Sequence, residues 1–502
     1  MLQSISLPSP AFNGLASERQ HVALGPEWAT KLQNVFIDGA GRLAARKGWA
    51  LQNTALVGDP TINQLHEYVK IDGSTIVVST TATKIYSGTT GALTDITPVG
   101  APTAGNWKFQ NFNGKVVGWQ ASHTPIVWSG TGSFATITAS SGTLPDGNTV
   151  LAAYGRLWAV DDDKQTIRYC ALLDETKWDT ADGGGLIDMR SVWTRGTDEV
   201  VAIVAYGASL VVFGKRHIVI WSDGAGSELG LEPVNLAVQT VIENMGAVSR
   251  DAVVLVGELD VVFWSPQGVR TLARTIQEYA APDRDVSPPN RGLLSLALAT
   301  GDLTKVRGVY SPTDALVLFS HPDLSITYCF DVRGKTPDGG LRMTTWTIAP
   351  TAMLNTTGNA LYFGFDGRIG LYSTYRDNGS AYTFVYWSGW LLLPPEERHK
   401  LLKKLRGIMY STVQRTISIS HWTDFQANAV SENVLLSVSG GAEYSESEYS
   451  EADYSGGASA GEVAAWLTGE CQYVRIGVTA TIDGSPFAIH ALTLYFKPTN
   501  LA

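Results

Sequence analysis

Asp161-Asp162-Asp163 is the run of hard oxygen ligands in this sequence that most invites a calcium ion. It lacks the spaced Asp/Asn ligands and the central Gly of a calcium loop. It also lies between two apolar runs, so it reads as a solvated hairpin tip. The eight histidines are scattered, with no pair at helical or strand spacing that would share a face and grip a metal. Cys170, Cys329 and Cys471 are far apart, which argues against both a disulfide framework and a zinc site. Cys170 and Cys329 each follow a Tyr that ends an apolar run, the place of a small core residue.

Other chemistries leave no signature. Glycoside hydrolysis needs two carboxylates at a set separation, and no spacing here assigns such a pair. A Ser-x-Asp-x-Gly-x-x-Trp turn of the sialidase kind is absent, as is a Gly-x-Ser-x-Gly elbow. Gly183-Gly184-Gly185 is not followed by Lys-Ser or Lys-Thr, so it is a plain loop and not a phosphate cradle. The sequence therefore predicts a protein that is not an enzyme, with no catalytic, cofactor-binding or metal residues and no cofactor.

Two charged clusters remain as candidate partner contacts. Arg398, Lys400, Lys403, Lys404 and Arg406 form one basic run, balanced in part by Glu396 and Glu397. Taken blandly it is a solvated helix or loop face; taken functionally it is a patch that meets an acidic neighbour. The acidic counterpart is Glu443, Glu446, Glu448, Glu451 and Asp453, in a Tyr/Ser/Glu repeat at 440–457 bracketed by Gly pairs. That repeat has no apolar face and reads as a solvated loop. With a net charge of −10 and a pI near 5.3, the whole chain should repel nucleic acid.

The elements that would carry these residues are hairpins, and one outline recurs seven times. Its clearest copy runs from Gly207 through Leu210-Val-Val-Phe213 and a Lys215-Arg216 tip to Trp221. The other copies lie at 74–86, 115–128, 156–169, 260–272, 316–328 and 360–372. The first strand of each is almost continuously β-branched or aromatic, so it should be covered on both faces. The second alternates better, as in Lys215, His217, Val219 and Trp221, and should lie nearer a rim. Successive copies start about 40 to 55 residues apart, the period of a propeller blade.

The expected fold class is thus all-β: a β-propeller of six to seven blades with a C-terminal β-sandwich-like domain. Residues 1–60 read as an N-terminal arm and a closing hairpin, because an early strand can complete the last blade. Residues 61–379 hold the propeller, with a Pro-rich and helical insertion at about 275–305 standing off one face of the ring. Residues 380–502 read as a separate small β-sandwich containing the acidic loop. The many glycines, 51 in all, fit a chain rich in turns. No apolar run is long enough for a membrane span, and the first residues lack a signal peptide's basic start, so synthesis in the cytoplasm is expected.

Several of these stretches also carry a resemblance. Asn34-Val-Phe-Ile-Asp-Gly with the Arg46-Lys47-Gly48-Trp49 turn resembles the opening of short-tailed phage nozzle proteins, the packaged-DNA stabilisation family. Gly155-Arg-Leu-Trp-Ala-Val160, Tyr169, Trp178 and Ala205–Gly214 are similar to its middle, and Tyr386–Leu393 with Lys400–Arg406 to its closing segment. The chain departs from that pattern at Lys47, where a Pro is common, and in the Tyr/Ser/Glu loop. The resemblance implies a structural virion protein of the tail, forming a homo-hexameric ring below the portal and adaptor. Such a ring retains the packaged genome and carries fibre or needle proteins, with DNA passing the lumen without sequence-specific binding. Six copies would bring about −60 formal charges, giving phosphates no sticky sites. The residues themselves also suit a carbohydrate-binding or carbohydrate-active propeller, through their many Trp and Tyr, or an intracellular scaffold propeller.

Overall fold

The structure, a computed structural model, describes every residue except 1, 23, 57–60, 100–104, 195, 226–230, 258–259, 279–285, 438–458 and 500–502. From Gln64 to Thr374 the chain is a succession of antiparallel meanders. Six of its sheets are self-contained blades: 64–95, 108–136, 150–188 and 200–243 with four strands each, 253–271 with three, and 352–374, completed by a strand from the N-terminal region. The meander 307–346 has the same form but continues into a larger sheet. The first strands of neighbouring meanders touch in sequence, and Ala352–Asn355 of the last meets Gln64–Val69 of the first. The protein is a β-propeller, and its ring is closed.

Every one of the recurring hairpins forms the second and third strands of a blade. Arg156–Val160 and Leu316–His321 are buried along their whole length, because each blade is covered by a neighbour on both faces. His217–Asp223 departs from the expected alternation: its first five residues are all buried. His217 is accommodated there by the Asp198 carboxylate, 2.9 Å from Nδ1, so the polar residue on the apolar strand is satisfied within the blade. Apolar clusters fill the gaps between blades. Trp107, Phe109, Trp128 and Phe134 pack between the first two, and Phe213 meets Phe263 at a centroid distance of 5.0 Å between the fourth and fifth.

The strand that completes the last blade is Gly48–Leu51, paired with Ile369–Thr374. Trp49 stacks on Phe365 at 4.4 Å and helps seal that blade's core.

Four sequence expectations are corrected. The C-terminal region is not a separate sandwich. One of its sheets consists of Ser459–Trp466, Lys400–Ser411, Phe487–Pro498, Leu43–Ala45 and Val35–Ile37, with Gln3–Pro8 also on Phe487–Pro498. In the other, Trp28–Gln33 joins the 307–346 blade to Tyr382–Ser388 and on to Tyr473–Ile482, Arg415–Thr423 and Val430–Leu436. N-terminal strands thus stand in both layers, and one apolar core runs from Trp264 and Phe319 of the propeller to Phe384, Ile476 and Phe496. The first thirty residues are not a loose arm for the same reason: backbone hydrogen bonds and Leu7, Leu15 and Ala29 tie them in.

The helical insertion does not stand off the ring. Leu272–Glu278 and Arg291–Leu298 pack on the three-stranded blade, where a fourth strand would lie. Leu294 and Ala297 are buried in the common core. Finally, the basic run is neither helix nor loop from residue 400 on: it begins the strand Lys400–Ser411, because Leu402, Leu405 and Met409, brought to one face across a bulge, have a core to face.

Candidate functional site

The predicted partner residues do not form one patch. Lys400 is buried, its Nζ has no hydrogen-bond partner among the described residues, and burial pushes its pKa down. Lys403 is half-buried, as is Arg398 just before the strand. Lys404 lies 5.9 Å from the ring of Trp466, which is 68% exposed, and Arg406 pairs with Glu462 at 2.6 Å. A strand alternates its side chains, and a bulge between Leu402 and Lys404 shifts that alternation, so the five cations are split between interior and surface. Glu443, Glu446, Glu448, Glu451 and Asp453 lie outside the described residues.

The carboxylates Asp161 and Asp163 are engaged locally. Asp161 binds Arg168 at 2.8 Å, and Asp163 accepts from the backbone of Gln165 and Thr166 and from Arg190. Among the described residues no group of three or more His, Cys, Asp or Glu could hold a metal. An open cleft of about 440 Å³ lies between the last blade and the sandwich, lined by Trp49, Thr374, Tyr375, Arg376 and Gly484. Arg376 is paired there with Asp483.

The densest buried electrostatics lie on the propeller axis, in residues that sequence reading passed over. Lys108 and Arg307 open the inner strands of their blades; Arg250 and Asp251 stand just before another, Val253–Val256. The blade of Lys108 faces the other two across the central channel, while the 253–271 and 307–346 blades are neighbours whose inner strands touch. Asp251 receives Lys108 Nζ at 2.9 Å and Arg250 Nη2 at 2.8 Å, with Arg307 Nη1 at 3.7 Å. Arg250 reaches one further blade, donating to Asn148 O at 2.6 Å, and also donates to Asn106 O and Oδ1 at 3.2 and 3.0 Å beside the start of the Lys108 strand. Burial alone would raise the Asp251 carboxyl, but Arg250, Lys108 and Arg307 outweigh it and hold it well below the usual range. The result is an ionic plug at the end of the channel where inner strands begin.

Further along the same strands, His66 Nε2 lies 3.1 Å from Asn111 Oδ1, and Asn111 Nδ2 donates to Glu67 O at 2.9 Å. Since the amide nitrogen is already donating, Oδ1 accepts and His66 carries its proton on Nε2. Burial brings the His66 pKa down to about 4 and the Lys108 charge adds to this, against the bond to Asn111. Glu67 turns away from the axis and ties the first blade to the last, accepting from Thr357 N at 2.6 Å and Thr357 Oγ1 at 3.1 Å. One signal could have found the plug: charged residues at the starts of apolar inner strands, where a solvated surface is not available.

The stretch that carries the family resemblance forms a second buried polar knot. Asn34, at a φ of +58°, receives Arg46 Nε and Thr347 N on its Oδ1, both at 2.9 Å, and donates to Thr383 O at 2.8 Å. Arg46 is fully buried, its guanidinium 4.2 Å from the Tyr382 ring. These contacts join the N-terminal region, the end of the 307–346 blade and the Tyr382–Ser388 strand.

No family model matches this sequence, and no curated protein matches it. Among solved structures the chain is similar to the computationally designed Ika8 protein, at 14% identity over 64% of this chain and 99% of that one, with a TM-score of 0.37. It is similar to YCF48 bound to D1 peptide at 11% identity, over 65% and 95% of the two chains, with a TM-score of 0.37. The C-terminal WD40 domain of Sif2 is similar at 13% identity, over 68% and 96%, with a TM-score of 0.35.

Proposed function

We propose that this chain is a structural subunit of a phage tail, a nozzle component that assembles as a hexameric ring below the portal and adaptor. In this reading it turns over no substrate. The ring retains the packaged genome, extends the exit channel and carries fibre or needle proteins, and the protein resides in the virion tail. The observation that supports this most is the position of the resembling stretch. Asn34 and Arg46 tie three parts of the chain into one stiff block, as a wall that bears internal pressure requires. The ionic plug fits the same reading, because DNA would then run between copies and not along the propeller's own axis. A net charge of −10 per chain would give that shared lumen no affinity for phosphate.

Electron microscopy of the purified chain, alone and with portal and adaptor, tests the assembly. A hollow six-fold ring is expected; a monomer under both conditions overturns it. Replacing lumen-facing carboxylates by Lys in assembled particles should slow genome release, and unchanged release would count against the lubricated bore. A glycan array answers the carbohydrate reading: specific binding there would replace the structural role.

A further inference from the structure

Three cationic side chains converge on the single carboxylate of Asp251. Lys108 and Arg250 touch it, Arg307 stands beside it, and both arginines are more than nine-tenths buried. Glu67, another carboxylate of the inner strands, is committed to Thr357 between the first and last blades. Lys108, Arg250, Arg307 and Asp251 by themselves sum to two positive charges in a place where water screens them poorly; the Asp302 carboxylate offsets part of this at Arg307. Backbone carbonyls of Asn106, Asn148, Thr304 and Val306 accept from the guanidiniums, but these dipoles do not neutralise them. Donors are also left over: the buried Arg307 Nε has no acceptor among the described residues, where Lys108 spends one of its three N–H groups on Asp251. The Lys108 side chain keeps 29% of its surface open, so the cluster is accessible to solvent at that side chain.

We propose that this end of the central channel is a binding site for a small inorganic oxyanion of the phosphate class, ligated by Lys108 and held by the charge of Arg250 and Arg307. The anion removes the charge excess and takes up the spare donors, which makes it a cofactor of the propeller's structure. Asp251 sets the affinity by competing for the same cations. This site is independent of the tail assignment, since it concerns the channel of one propeller and no assembly.

Calorimetric titration of the full chain with inorganic phosphate, in chloride buffer of matched ionic strength, is the test. About one anion per chain is expected, with a higher Tm in phosphate than in chloride. Lys108→Gln should weaken phosphate binding by about tenfold or more, the loss of a charged hydrogen bond. Asp251→Asn should strengthen it, because it removes the competing carboxylate; a merely structural role for Asp251 would not produce that sign. No heat of binding in the natural chain overturns the proposal, as does a Lys108→Gln variant that binds equally well. Should that variant not fold, crystals of the natural chain grown with tungstate decide: tungstate in contact with Lys108 supports the site, and an empty cluster overturns it.

Discussion

Arg46 and Asp377 form a two-pronged ion pair, Nη1 to Oδ1 at 2.8 Å and Nη2 to Oδ2 at 2.6 Å, across 331 residues of sequence. The guanidinium is fully buried, while the Asp377 side chain keeps 18% of its surface open. The same arginine reaches Asn34 and the Lys47 carbonyl, and its own carbonyl accepts from Tyr382 Oη. Burial works against its charge, yet the Asp377 bond and charge prevail and its pKa is raised. The N-terminal region is clamped at this point to the end of the last blade.

Breaking the clamp should be costly. Arg46→Met leaves the Asp377 carboxylate without its cation, and removing one partner of a buried pair costs about 3–5 kcal/mol. Arg46→Lys should recover only part of this, since an ammonium cannot make the planar double contact. Calorimetric melting of both variants checks the order.

Next to Arg46, Gly48 is required by space. A Cβ there would be driven into the Arg376 carbonyl oxygen, which is backbone and has little room to move. Gly48→Ala should lower stability by about 1–3 kcal/mol, whereas Gly39→Ala, with nothing near its Cβ, should stay within about 0.5 kcal/mol. Urea midpoints of the two variants give the comparison.

Acid should weaken the channel through His66. Its folded pKa of about 4 lies below the ordinary histidine value of 6.5, so between those limits the unfolded chain binds more protons than the folded one. The stability associated with neutral His66 is complete above about pH 6.5 and is lost as pH falls toward 4. Asp251 titrates lower still, and its contribution persists through that window. His66→Gln should flatten the Tm profile between pH 6.5 and 4; an unchanged slope would remove His66 as the cause.

The thiols should be inert in the folded protein. Burial pushes Cys170 up to about 11 and Cys471 up to about 12, raises Cys329 well above its ordinary value, and leaves all three inaccessible. A thiol reagent at neutral pH should label none of the three until denaturant is added, and then all of them.

What the sequence by itself determined is the repeat. Runs such as Leu210–Phe213 and Leu316–Phe319 are short, β-branched or aromatic and evenly spaced, and local patterning of that kind dictates buried strands joined by tight turns. It also determined the small buried role of Cys170 and Cys329, each following the Tyr of a repeat hairpin. Tertiary structure decided everything that depends on distant partners. The early strands Trp28–Gln33 and Leu43–Ala45 are too short to reveal which sheets they complete, and only the arrival of Tyr382–Ser388 and Phe487–Pro498 selects them. The basic run became a strand because a core was waiting on one side of it. Asp251 and Lys108 are 143 positions apart, and no local pattern marks two charges as neighbours across a channel. Periodicity is a property of adjacent residues, while an axial site exists only once the ring has closed.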